Sequence, residues 1–178
     1  YKKLTFWEME LEGSEDESMI DVLLQQKEEA NVVFAKFIQE EYLDWINQRT
    51  EAPLMSHEVI KQRIAPIVKE VNDQVFVLII DNMRYDQWKS IEPLFTEYFN
   101  LADEELYYSI LPTATSFSRN ALLAGMLPSE IEQQYSQQWN LEDETKRTDE
   151  NVFFKGVFQL LGMDSTTSLR RISGQEEG

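Results

Sequence analysis

The sequence predicts an α/β protein: a helical hairpin followed by a small parallel sheet with flanking helices. Three observations carry this expectation. Val75–Ile80 is an uninterrupted apolar run, mostly β-branched, that ends at Asp81, and a run that short and that apolar reads as a strand buried on both faces. Tyr107–Leu111 is a second strand candidate, stopped by Pro112, which cannot donate to a ladder. Residues 1–48 instead place apolar side chains at helical spacing.

Taken in order, Leu4, Trp7 and Leu11 form a short apolar stripe, and residues 13–18 make an acidic, turn-prone break. From Ser18 to Asn47 no Pro or Gly interrupts the chain, while Ile20, Leu23, Leu24, Phe34, Phe37, Ile38 and Trp45 mark one face. One helix of nearly thirty residues follows, longer than usual, with its aromatic stripe expected in a core or a dimer seam. Residues 49–56 read as a linker, and Ser56 as the N-cap of a helix that Pro66 kinks or ends. After the first strand, residues 82–94 lead into a helix with Trp88, Ile91 and Leu94 on its apolar face. After the stretch Pro112–Asn120 a helix is expected through Ala121, Leu122 and Leu123, with Gly125 placed to end it. The distance from Asp81 to Thr115 is about that of a βαβ unit, ~30 residues. Met126–Ile131 reads as a loop, residues 135–151 as an exposed polar excursion, and Asn151 as the cap of a short amphipathic helix ending at Gly162. Thr166–Ser173 reads as the start of a third strand.

Composition narrows the function. At 42% hydrophobic and 28% charged residues the chain is globular rather than disordered. No cysteine is present, so disulfides and thiolate metal sites are excluded. A formal net charge of −17 argues against a surface that grips long nucleic acid. It leaves room for a phosphate-bearing substrate in a pocket where carboxylates hold a divalent cation. There is no signal-peptide pattern and no apolar run of membrane-spanning length, so a soluble, cytoplasmic protein is expected. The absence of an initiator Met fits a piece of a longer chain.

Two positions suggest chemistry. Asp81 ends a predicted strand, where ligands collect in open α/β sheets, although an Asp there equally serves as a cap or turn residue. Thr115 follows a strand and precedes a helix, beside unpaired N–H groups and the positive end of the dipole, a setting that suits phosphate or a nucleophilic alkoxide. An ordinary N-cap explains it as simply. If neighbouring strands carry both, Asp81 and Thr115 can share a metal ion, with Arg84 or Arg119 on phosphate oxygens. Asn120 can donate to phosphate or lie inside the helix without a role. His57, the one histidine, falls in a first turn and has no constellation around it.

The strings Ile80-Asp81-Asn82-Met83-Arg84-Tyr85-Asp86-Gln87-Trp88, Leu111-Pro112-Thr113-Ala114-Thr115-Ser116-Phe117-Ser118-Arg119-Asn120 and Gly125-Met126-Leu127-Pro128 resemble the start of a PglZ domain, of the alkaline phosphatase superfamily. The resemblance is closest to the PglZ domain of PorX-like two-component response regulators, in which a receiver domain and a helical segment precede it. Residues 1–55 resemble that helical segment, and residues 56–178 the N-terminal part of the PglZ-like domain. The resemblance implies a zinc-dependent phosphoesterase with two metal sites, Asp81 as a metal ligand and Thr115 as metal-bound nucleophile. It also implies cyclic or linear oligonucleotides as substrates, an upstream receiver as partner and control of type IX secretion.

One departure qualifies this. The superfamily completes its metal sites with later Asp and His residues, and a closed zinc site takes about four ligands. One histidine near the wrong end cannot supply them. The chain is therefore expected to be an inactive fragment, with zinc sites incomplete. The competing expectation is a non-catalytic signalling or interaction module that forms a homodimer through its helical segment.

Overall fold

The computed structural model describes residues 1–13, 16–71, 73–139, 150–163, 167–170 and 172. The described residues are 61% helical and contain no strand or sheet. The expected α/β class is thereby corrected to a mainly helical one. Neither predicted strand joins a ladder. Tyr108 makes one isolated parallel bridge to Met55, through Ser56 N–H to the Tyr108 carbonyl at 2.8 Å and Tyr108 N–H to the Leu54 carbonyl at 2.9 Å. Val75–Ile80 has no regular secondary structure, with Phe76 80% and Leu78 73% exposed. The physical reason lies in what each element needs. A helix closes its hydrogen bonds within itself, whereas an apolar strand is stable only beside neighbours that complete its ladder and cover its faces.

The chain divides into two compact units, residues 1–52 with 77–105, and residues 53–76 with 106–178. In the first, α1 (Lys2–Leu11) and α2 (Glu17–Ile46) pack together as the expected hairpin. Asp16 caps α2, accepting from the Met19 N–H at 3.2 Å and the Ser18 hydroxyl at 2.6 Å. That bond holds the Asp16 carboxyl below its ordinary range. Lys27 on α2 donates to Glu8 on α1 at 2.5 Å. Only Leu23 and Trp45 of α2 are buried. The aromatic stripe is thus mostly exposed rather than core, with Phe37 set edge-on to Trp45 at 5.4 Å. The third helix of this unit, α4 (Tyr85–Thr96), packs on α1 and stacks Trp88 near Phe95 rather than Leu94. No described helix is long and apolar enough to cross a membrane.

The second unit holds the better core. Ser56 does not cap a helix: a 3-10 turn, Ser56–Glu58, begins there, and the Ser56 hydroxyl accepts from the Ile110 N–H at 3.1 Å. A π-turn, Ile60–Ile64, then leads into α3 (Ala65–Glu70), with Pro66 in its first turn. The widened turn answers the N–H that proline lacks and the room its ring needs. Next come α5 (Thr115–Ala124), α6 (Pro128–Gln134), where a loop was expected, and α7 (Glu150–Leu160). Pro128 suits the first turn of α6, and Glu130 accepts from the Leu127 N–H at 2.8 Å. α7 packs on α5, and Phe153 and Val157 of α7 and Leu123 of α5 are all fully buried, each contributing about 1.5–3 kcal/mol. Asn151 lies inside α7 and accepts from the Leu169 N–H at 3.1 Å, so it is not the cap. Of the expected third strand, residues 167–170 and 172 are not strand, and 166, 171 and 173 lie outside the described residues, as does most of the polar excursion.

Candidate functional site

In the first unit, Asp81 stands in an exposed turn directly after the apolar segment, and Asn82 takes φ 60°. Asparagine tolerates that left-handed conformation better than most residues. Arg84 precedes α4, and its N–H donates to Gln87 Oε1 at 3.0 Å, satisfying one end of the helix. Its guanidinium forks onto Asp86, with Nε to Oδ1 at 2.9 Å and Nη2 to Oδ2 at 2.6 Å. This pair holds the Asp86 carboxyl below its ordinary range. Arg84 is thus exposed but engaged with Asp86.

A polar cluster that sequence reading missed lies nearby. Glu104 accepts from Lys2 Nζ at 2.7 Å and the Tyr85 hydroxyl at 2.8 Å, and pairs with Lys89 at 2.6 Å. Lys89 also donates to Glu92 at 2.7 Å. The Lys2 bond, and then the Lys89 bond, pull the Glu104 pKa from 4.5 down to about 2. Lys89 is held above the ordinary lysine range, by Glu104 first and Glu92 second. No sequence signal points to this cluster, because Lys2 and Glu104 are joined only by folding. A carboxyl whose folded pKa is depressed contributes its stability above the unfolded value and loses it as the pH falls through the folded value. The cluster is accordingly expected to be complete above pH 4.5 and to open as the pH approaches about 2. In a carbon-13 NMR titration, Glu104 should be among the last carboxylates to protonate, and Lys2→Met should move its midpoint up. A midpoint in the ordinary range for the unaltered protein would contradict the assigned bonds.

In the second unit, Thr115 is the first residue of α5 and is exposed. No side chain caps this helix. The first N–H in its ladder is that of Phe117, donating to the Ala114 carbonyl at 2.9 Å. The hydroxyl of Thr115 therefore sits at the positive end of the helix, beside N–H groups that have no intrahelical partner. Arg119, one turn on, pairs with Glu150 at 2.5 Å. Asn120 is buried and donates to the Ser116 carbonyl at 2.8 Å, inside the helix. His57 is half-buried rather than on the surface. Its Nδ1 has no hydrogen-bond partner, and burial pushes its pKa below the ordinary value.

The structure thus groups Asp81 with Arg84 in one unit, and Thr115 with Arg119 and Asn120 in the other. Among the described residues no sheet forms, so the strand ends expected to carry Asp81 and Thr115 are not present there. Among the described residues, no three His, Cys, Asp or Glu side chains gather where they could hold a metal ion. Asp81 and Thr115 alone do not fit the ligand set that zinc requires.

A separate concavity of about 960 Å³ lies along the α1–α2 hairpin, lined by Phe6, Trp7, Val33, Phe34 and Phe37, with Lys2 and Tyr85 also at its wall. It is predominantly apolar and lies entirely in the first unit.

Comparison with known families adds two matches. Residues 59–157 match a family described as the BREX system PglZ alkaline phosphatase-like domain, and residues 1–46 match one described as the PorX response regulator linker domain. No curated protein matches the chain.

Proposed function

The chain belongs to the family of BREX system PglZ alkaline phosphatase-like domains, and from that premise we propose that it carries the nucleophile of a phosphoesterase in a PorX-type response regulator. The observation that carries this reading is Thr115: an exposed hydroxyl on the first residue of an uncapped helix, within the matched residues. Such a position stabilises negative charge on oxygen and on an incoming phosphoryl group.

The reaction proceeds in two displacements. The Thr115 oxygen bonds to phosphorus while the bond to the leaving alcohol breaks, and the hydroxyl proton passes through solvent to the departing oxygen. Water then attacks phosphorus, the bond to Thr115 breaks, and the hydroxyl is restored. Proteins of this family generally use metal ions. The described residues gather no ligand set for one, so neither displacement is assigned to a metal here. Arg84 and Arg119 as phosphate contacts and an oligonucleotide phosphodiester as substrate belong to this proposal, and Asp81 would be a zinc ligand only with further ligands from outside the described residues. For Arg84 and Arg119 the proposal requires exchange of their present partners, Asp86 and Glu150, for phosphate oxygens. The test is hydrolysis of an activated phosphodiester by the full-length protein with and without Thr115→Val; an unchanged rate removes Thr115 from the mechanism.

A second reading rests on a different observation, the exposed apolar wall of the hairpin groove. We propose that this face also serves self-association of the linker helices, as aromatic residues on exposed helical faces commonly do. Light scattering should then find a dimer that Phe34→Glu converts to monomer. A monomer for the unaltered protein ends this reading and leaves the first untouched.

A further inference from the structure

Glu104 ties together parts of the first unit that are distant in sequence. Lys2 reaches it from α1, Tyr85 and Lys89 reach it from successive turns of α4, and Glu104 itself comes from the segment after α4. Tyr85 is enclosed by the same groups. The Lys2 and Lys89 ammoniums lie 5.9 and 5.5 Å from its ring centre, and the Tyr1 ring lies 6.0 Å away. Tyr85 is also the first residue of α4, so it continues directly from the turn that holds Asp81 and Arg84.

The cluster divides into two sets of bonds. Lys89, Tyr85 and Glu92 reach Glu104 or Lys89 from α4, without a group from α1. Lys2 and Tyr1 arrive with α1 and leave with it. Lys2 and Tyr1 thus supply one of the donors to Glu104 and two of the groups around the ring of Tyr85.

We propose that the Glu104 cluster is a latch, through which the seating of α1 sets the order of the turn Asp81–Arg84. With α1 seated, Tyr85 is covered and the start of α4 is held. With α1 withdrawn, Tyr85 is uncovered and the turn loosens. As regulation this rests on the reading of Asp81 and Arg84 as site residues; as a mechanical coupling it does not. The device belongs to the class in which a packed contact has two discrete arrangements, each favouring a different state of a neighbouring segment.

Hydrogen exchange measured by mass spectrometry on the full-length protein tests the latch without any activity readout. Lys2→Met should speed exchange across residues 81–90 about two- to fivefold, the size expected for loss of a partly exposed ion pair, and Lys2→Arg should restore the slow rate. Arg49→Met, which removes the ion pair to Asp44 at the C-terminal end of α2, should leave residues 81–90 unchanged. The proposal is overturned if Lys2→Met affects α1 alone, if Lys2→Arg fails to restore protection, or if Arg49→Met loosens residues 81–90 equally. Failure of the latch leaves the Thr115 assay untouched, and an unchanged rate for Thr115→Val leaves the exchange result standing.

Discussion

Thr115→Val is expected to lower phosphodiester hydrolysis by the full-length protein at least about a thousandfold, the scale on which loss of a covalent nucleophile acts. Valine keeps the branched shape and removes only the hydroxyl. The side chain caps nothing and is exposed, so stability should stay within about 0.5 kcal/mol of the original. Thr115→Ser, which keeps a hydroxyl on the same helix position, should retain much of the rate. This pattern separates a nucleophile from a helix-end residue. A helix-end role predicts the reverse: a change in melting temperature with the rate per folded molecule preserved. A rate that survives Thr115→Val would end the assignment, and Thr113 would be the next hydroxyl to test.

Gly125→Ala is expected to be the most damaging small substitution in the second unit. Gly125 ends α5 with φ 63°, and an L-residue in that left-handed conformation costs about 1–2 kcal/mol. A Cβ there would also stand 2.6 Å from Val157 Cγ2 and 3.1 Å from Lys61 Cε. Val157 is fully buried in α7 and cannot retreat without disturbing its neighbours. Overpacking of this kind adds about 1–3 kcal/mol, so a loss of about 2–5 kcal/mol is expected in chemical denaturation. Double substitution with Val157→Ala should recover the steric part and leave the backbone part. Full recovery would show that conformation contributes nothing, and no recovery would show that the close approach to α7 does not limit Gly125.

The two sites differ in how readable they were. Gly125 was legible because a glycine after a helical run, with apolar residues before it, is a local signal for a helix end, and the left-handed backbone there confirms it. The long α2 was legible for the same local reason: nothing between Ser18 and Asn47 breaks a helix, and Asp16 supplies the cap. Thr115 was placed at a helix start by Pro112 and the polar run after it, which again depends only on neighbours in sequence. The start of α6 carried a comparable signal in Pro128 with Glu130 two residues on, and a loop reading overlooked it.

What depended on distant partners was not legible. The apolar pattern of Val75–Ile80 describes the surroundings a strand prefers, and the fold leaves that segment outside any ladder and mostly exposed. The stripe on α2 has a helical period, yet a period states which residues share a face and not whether another element covers it; most of that face is open. The Glu104 cluster has no period and no motif, since its members meet only after α1 has folded onto α4.

By itself, then, the sequence determined the long α2, the end of α5 at Gly125 and the absence of thiol chemistry, and it carried the resemblance to the family in its motifs. Tertiary structure alone decided that no sheet forms among the described residues, that Asp81 and Thr115 fall in separate compact units, and that Lys2, Tyr85, Lys89 and Glu104 converge. Helical hydrogen bonds close within four residues and are written in local sequence. Ladders, buried faces and ion clusters close across tens of residues, where only the folded chain determines which groups meet.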